Sequence, residues 1–161
     1  MTVVVTSAVA DSYPDDIPVG AVTTTNAGSN AAPANATLIV NSPPIVEEFF
    51  GPVAIGMNGT STLTITLRNP NATPMTGVAF ANPYPADVVD AATPNVTTNC
   101  GAPTSATSNG TSVSLTGGTI AGNGFCTVTV VVTSAVAGFY LDDIPVDAVT
   151  TTNAGSNAIA T

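Results

Sequence analysis

Residues 2–31 of the chain return almost unchanged as residues 129–158. Every position is displaced by the same 127 places, so that Thr2 maps onto Thr129 and Ala31 onto Ala158. Only four of the thirty sites differ: Asp11 against Gly138, Ser12 against Phe139, Pro14 against Leu141 and Gly20 against Asp147. Self-similarity at a long fixed period is the signature of a repeat architecture, in which each unit is built to sit beside a copy of itself. The first copy lacks everything that leads into the second, so the chain reads as a window onto a tandem array. Residues 1–40 are expected to be the C-terminal strands of a preceding repeat. Residues 41–44 are the expected linker, because Pro43-Pro44 stiffens the backbone and withholds ladder donors. Residues 45–161 are then a near-complete repeat that stops before its own last strand.

Composition removes most chemistry. The chain has no His, Lys, Trp or Gln, one basic residue, Arg68, and ten carboxylates, for a formal net charge of -9. One arginine cannot displace counterions along a phosphate backbone, which excludes nucleic acid as a partner. Without histidine there is no Ser-His or Cys-His base and no imidazole ligand for zinc, and without lysine no isopeptide crosslink. The chain is not expected to be an enzyme or to hold a cofactor. Hydrophobic residues make up 44%, charged residues only 7%, too apolar for a solvated disordered tail. No run approaches the roughly 20 apolar residues of a membrane span. The TVVVTSAVADSY after Met1 lacks the basic flank of a signal peptide and belongs to the repeat.

Period-two alternation is clean in STLTITLR, with Leu63, Ile65 and Leu67 on one face and Thr62, Thr64 and Thr66 on the other. Asn58-Gly59 before it predicts a tight turn, with the segment from Val53 to Ile55 pairing back. TGVAFANP presents Val78 and Phe80 to one side, SVSL presents Val113 and Leu115, and CTVTVVVT sends Val128, Val130 and Val132 inward. A short strand over residues 144–149, begun or edged by Pro145, and a last strand in NATLIV complete the set. Short strands at roughly ten-residue spacing, broken by Gly, Pro, Asn and Ser, predict an all-β fold: an immunoglobulin-like Greek-key β-sandwich in tandem repeat, with extra length in loops such as 84–105.

The order of PPIVEEFFGPVAIGMNGTSTLTITLRNPNATPMTGVAFANPYP, NCG, VSLTGGTIAGNGFCTVTVVVTS, GFYLDDIP and TTTNAGSNA resembles the conserved-repeat domains of bacterial surface proteins, the domain of unknown function number eleven and its relatives. The resemblance spans one whole repeat. It implies immunoglobulin-like sandwiches strung in tandem in large secreted or surface proteins, and it carries over no catalytic residue. ANPYP stands where relatives carry an aspartate-containing TDTLP-like run, so no acidic site is transferred there.

Cys100 and Cys126 lie within the near-complete repeat, and the counterpart of Cys126 in the first copy would fall just before Met1. The even count favours a disulfide over two buried reduced thiols. Asp142, Asp143 and Asp147, mirrored in part by Asp15 and Asp16, are the best metal candidates, since calcium wants several hard oxygens together. Neighbours on a strand face opposite ways, however, which reads as solvated turn carboxylates and no metal. Glu47-Glu48 reads as charge guarding an exposed edge. Asn35, Asn58, Asn71, Asn95 and Asn109 each open an Asn-x-Thr sequon, a pattern common by chance in so Asn- and Thr-rich a chain. The Thr-Thr-Thr-Asn runs resemble an ice- or glycan-binding ladder, but threonine is also what an exposed strand face prefers.

The expected function is that of a structural module in an extracellular, bacterial cell-surface filament, stalk or giant repeat protein. Its partners are neighbouring copies joined head to tail, with Thr37, Leu38, Ile39 and Val40 as the assembly strand. The alternative is an adhesin module whose loops bind a glycan, a protein or calcium.

Overall fold

Alternating apolar and hydroxyl side chains place one long pairing at the centre of the structure. Thr60–Arg68 and Phe125–Ser134 lie antiparallel from Arg68 opposite Phe125 to Thr60 opposite Thr133. Leu63, Ile65 and Leu67 from the first and Val128, Val130 and Val132 from the second are all at most 3% exposed. The computed structural model describes residues 2–101, 103–105 and 109–161. Met1, where no signal peptide was expected to open, and Ala102, inside the expected 84–105 loop, lie outside the described residues.

The chain forms two units, Met1–Ser42 and Pro43–Thr161. The described residues hold only strands, turns and loops. In the first unit β1 (Asp11–Ile17) pairs with β4 (Ala34–Val40), and β2 (Thr23–Thr24) pairs with β3 (Gly28–Ser29). The second unit runs β5 (Ile45–Gly51), β6 (Thr60–Arg68), β7 (Met75–Pro83), β8 (Val88–Asp90), β9 (Thr97–Thr98), β10 (Thr104–Ser105), β11 (Ser112–Ile120) and β12 (Phe125–Ser134). One sheet has the order β5-β6-β12-β8, with β9 also on β12; the other is β10-β11-β7. Both sheets send side chains into one core, where Val78, Phe80, Val113 and Leu115 of the second meet the aliphatic faces of β6 and β12. The architecture is an all-β, antiparallel sandwich. Cys100 and Cys126 are joined by a disulfide, with Cα atoms 5.1 Å apart.

Three expectations shift once tertiary partners are known. Asn58-Gly59 does form the turn, with Asn58 at φ 62° and the Gly59 N–H donating to the Gly56 carbonyl. The partner of β6 is nevertheless β5, and Val53 to Ile55 is loop. The strand expected over residues 144–149 does not form. Pro145 has no N–H and Asp147 turns the chain at φ 67°, while the Asn157 side chain accepts from the Val149 N–H and donates to the Pro145 carbonyl. Residues 84–105 are not simply loop, because they contain β8, β9 and β10. They also contain Tyr84, buried with its hydroxyl donating to Asp90 Oδ1 at 2.7 Å.

The free edge of β7 is covered by the second Thr-Thr-Thr-Asn run. Thr150 and Ala79 exchange backbone hydrogen bonds, the Thr152 N–H donates to the Thr76 carbonyl, and Asn153 Oδ1 accepts from the Thr76 N–H. The approach is close enough to demand glycine opposite: Gly77 has φ +62°, and a Cβ there would meet Thr152 Cγ2 at 2.4 Å. Threonine at these positions closes an edge.

The disulfide spans a sequence separation of 26, and removing such a crosslink frees the unfolded chain by about 3.5 kcal/mol. Urea unfolding of a Cys100→Ala/Cys126→Ala variant is expected to show a loss of about that size at unchanged strand content by circular dichroism. A loss under about 1 kcal/mol would mean that the crosslink contributes little to the unit.

Candidate functional site

After β12 the second copy of the repeat turns a corner that its local sequence encodes. The Tyr140 hydroxyl donates to the Val136 carbonyl at 2.9 Å, and Ser134 Oγ accepts from the Val136 N–H at 3.2 Å. The first copy builds the same clasp from Tyr13, Val9 and Ser7, at 2.9 and 3.1 Å. Downstream the correspondence continues. Asn30 and Asn157 accept from the Val22 and Val149 N–H groups, and Thr24 and Thr151 each donate to the glycine carbonyl four residues on. These bonds span few residues, so they form wherever the sequence occurs.

Between clasp and turn, residues 138–144 run with alternating burial. Tyr140 is half-buried and Asp142 and Ile144 are buried, whereas Gly138, Phe139, Leu141 and Asp143 are exposed. That is the exposure pattern of an edge strand. The corresponding segment of the first copy is β1, paired over its whole length with β4 from Asp11 opposite Val40 to Ile17 opposite Ala34. In the second copy one rung of that ladder is present. The Thr161 N–H donates to the Ile144 carbonyl at 3.3 Å, and Thr161 Oγ1 accepts from the Ile144 N–H at 3.2 Å. Ile144 and Thr161 are the counterparts of Ile17 and Ala34, so the rung is in the same register. Among the described residues, Gly138 to Asp143 form no strand ladder.

Two side chains pin this segment to opposite sheets. Asn82 of β7 donates from Nδ2 to Asp142 Oδ2 at 2.9 Å, and Glu48 of β5 accepts at Oε1 from Thr161 Oγ1 at 3.0 Å. Glu48 corrects the sequence reading. Glu47 does face solvent, where Arg68 Nε donates to it at 3.1 Å. The next residue on the strand points the other way. Burial, and then the negative charge of Asp142, push the Glu48 carboxyl from 4.5 up to about 7, against the stabilising Thr161 hydrogen bond. Burial raises Asp142 as well, opposed by the Asn82 bond and helped by Asp143. Glu48 Oε2 and Asn82 Oδ1 are buried without a hydrogen-bond partner among the described residues. Beside the start of the segment lies a mainly apolar groove of about 410 Å³, lined by Phe50, Val88, Val132, Val136, Phe139 and Tyr140 among others.

The three aspartates do not converge. Asp142 turns inward, Asp143 outward, and Asp147 accepts from Ser156 Oγ in the turn. No group of three or more Asp, Glu, Cys or His side chains among the described residues is placed to hold a metal ion. Asn58, Asn95 and Asn109, three of the five sequon asparagines, occupy left-handed turn positions at φ 62°, 46° and 56°. Thr37, Leu38, Ile39 and Val40 lie in β4 of the first unit, with Leu38 40% and Ile39 55% exposed. Strand alternation would have turned Glu48 inward. The Asp142–Asn82 contact had no sequence signal, because those residues are 60 positions apart.

Residues 44–161 match the family described as Domain of unknown function (DUF7933), and the chain belongs to that family. No curated protein matches it.

Glu48 sets a pH dependence whose sign follows from the raised value. Below pH 4.5 folded and unfolded chains both hold the proton; between about 4.5 and 7 only the folded chain does, so stability falls as pH rises through that window and levels off above it. Thermal melts of wild type and Glu48→Gln across pH 4 to 9 are expected to diverge through the window, the variant flatter and more stable at the alkaline end. Parallel curves would remove Glu48 as the cause. Melting in millimolar calcium and in chelator is expected to differ by less than the several degrees that about 1 kcal/mol of binding would give.

Proposed function

We propose that the chain is a structural module of an extracellular filament, stalk or giant repeat surface protein, an immunoglobulin-like unit that joins neighbouring copies head to tail. The observation that carries this reading is the repeated segment itself. Twenty-six of thirty residues recur at constant spacing, and both copies build the same serine–tyrosine clasp and the same asparagine turn. A surface selected to recognise a ligand seldom needs near-identical copies of itself. A unit selected to add a fixed length does, and its stability then comes from each unit plus its interface with the next.

Location and chemistry fit the same role. A disulfide in a sandwich with few aromatic residues suits an oxidising, extracellular setting, and we assign the module to the bacterial cell surface. A net charge of -9 with one cation keeps such a unit soluble through self-repulsion and leaves contacts between copies to backbone pairing and apolar surface. The role is mechanical and needs no cofactor or reaction.

Negative-stain imaging of the native material, together with sedimentation of the purified chain over a range of concentrations, tests the proposal. Beaded rows with a constant repeat and a sedimentation coefficient that climbs with concentration are expected. Compact particles that stay monomeric throughout would overturn it.

A further inference from the structure

We infer that Asn109 is a self-modifying position: its side-chain amide is lost by ring closure onto the Gly110 nitrogen, giving aspartate and isoaspartate at one of three otherwise similar turns. The inference is independent of the filament reading, and its only co-reactant is water.

Asn-Gly occurs three times in the chain, at Asn58-Gly59, Asn109-Gly110 and Asn123-Gly124. In each pair the asparagine is exposed and left-handed, at φ 62°, 56° and 54°, and the glycine is half-buried. Each asparagine N–H donates to a distant backbone carbonyl, that of Ser134, Asp90 and Asn71 respectively. Each glycine carbonyl accepts, from Thr133 Oγ1, the Asp90 N–H and the Asn69 N–H. The three differ at the one atom on which the chemistry depends. The Gly59 N–H donates to the Gly56 carbonyl at 2.8 Å and the Gly124 N–H to the Ala121 carbonyl at 3.0 Å, whereas the Gly110 N–H has no hydrogen-bond partner among the described residues.

A glycine after asparagine leaves the peptide nitrogen uncrowded, since no Cβ shields it. Hydroxide removes the Gly110 amide proton, and the nitrogen attacks Asn109 Cγ. The bond from Cγ to Nδ2 breaks, and the leaving nitrogen takes a proton from water and departs as ammonia. What remains is a cyclic imide in which the Gly110 nitrogen joins both carbonyl carbons of residue 109. Water then opens the ring on either side. Addition at Cγ leaves aspartate on the original backbone; addition at the main-chain carbonyl leaves isoaspartate, with the backbone routed through Cβ and Cγ. At Gly59 and Gly124 the nitrogen must first give up the hydrogen bond that fixes its turn.

The modified position is tied to the interior. Asp90 donates its N–H to the Gly110 carbonyl at 2.8 Å and accepts from the Asn109 N–H at 3.1 Å, while its buried side chain accepts from the Tyr84 hydroxyl. Those two backbone bonds lie on opposite sides of the linkage that isoaspartate lengthens by one carbon. The isoaspartyl form therefore cannot hold Asp90 in the same way, and a fastening of the stretch between β7 and β11 is lost. Either product also adds a carboxylate to a chain of net charge -9.

Peptide mapping by mass spectrometry of the full folded chain, aged at mildly alkaline pH with the isomers distinguished by electron-based fragmentation, tests this. Conversion at Asn109 is expected to be at least about fivefold faster than at Asn58 or Asn123, the factor that one backbone hydrogen bond is worth. In denaturant, where that bond is gone, the three sites should convert at similar rates. Similar rates in the folded chain, or conversion at Asn109 only after unfolding, would overturn the inference. An Asn109→Asp chain separates the added charge from the lengthened backbone: it should melt close to fresh wild type, and the isoaspartyl fraction of aged chain below both. An isoaspartyl fraction that melts with Asn109→Asp would remove the link to Asp90.

Discussion

The pairing of β12 with β6 is the contact on which the rest of the second unit depends. β12 supplies three of the deepest valines and the sulfur that ties Cys100 to the core. It also forms the ladder for β8 and β9 and ends at the serine that starts the corner into residues 138–144. Its alternation is strict because both sheets pack on a single apolar layer, where a one-residue slip would carry every valine to the solvent face and bring threonines in. The disulfide and the Tyr84–Asp90 hydrogen bond fasten the irregular stretch between β7 and β11 around that fixed strand. A chain with five phenylalanines, three tyrosines and no tryptophan has few large side chains to do this by packing alone.

The two sides of the sandwich are finished differently. On the β7 side, Thr150 and Thr152 satisfy the edge with backbone bonds, and Gly77 lets them approach. Near β5 the closing segment is attached largely through side chains, with Asp142 on Asn82 and Glu48 at Thr161, and through the single backbone rung between Ile144 and Thr161. Burial raises the proton affinity of Glu48 and Asp142, neighbouring carboxylates raise it further, and the negative charge here discourages pairing with another acidic strand. Edges left open in soluble proteins invite indiscriminate pairing, and carboxylates around one restrict what can add to it.

Much of this was legible in the residues. β6, β7 and β12 follow from period-two alternation because each has one face in the core and the pattern records that burial directly. The disulfide followed from an even cysteine count in a chain of secreted character. The errors fell where partners decide. β5 rather than the segment from Val53 to Ile55 pairs with β6, residues 144–149 turn instead of extending, and Glu48 faces inward. Each of those depends on a contact with a distant residue, and local propensity carries no information about it.

Residues 2–7 and 129–134 are both TVVVTS, and that one hexapeptide separates what sequence determines from what tertiary structure decides. By itself the sequence specifies the corner that follows, since the clasp of serine, valine and tyrosine spans seven residues and forms in both copies. It also specifies an affinity for extended backbone, through three consecutive β-branched side chains. It does not specify burial. Val130 and Val132 are 1% and 3% exposed because β6 and the opposite sheet cover them. Removing valine from water requires surfaces contributed by residues far away in the chain, and only the fold brings them there.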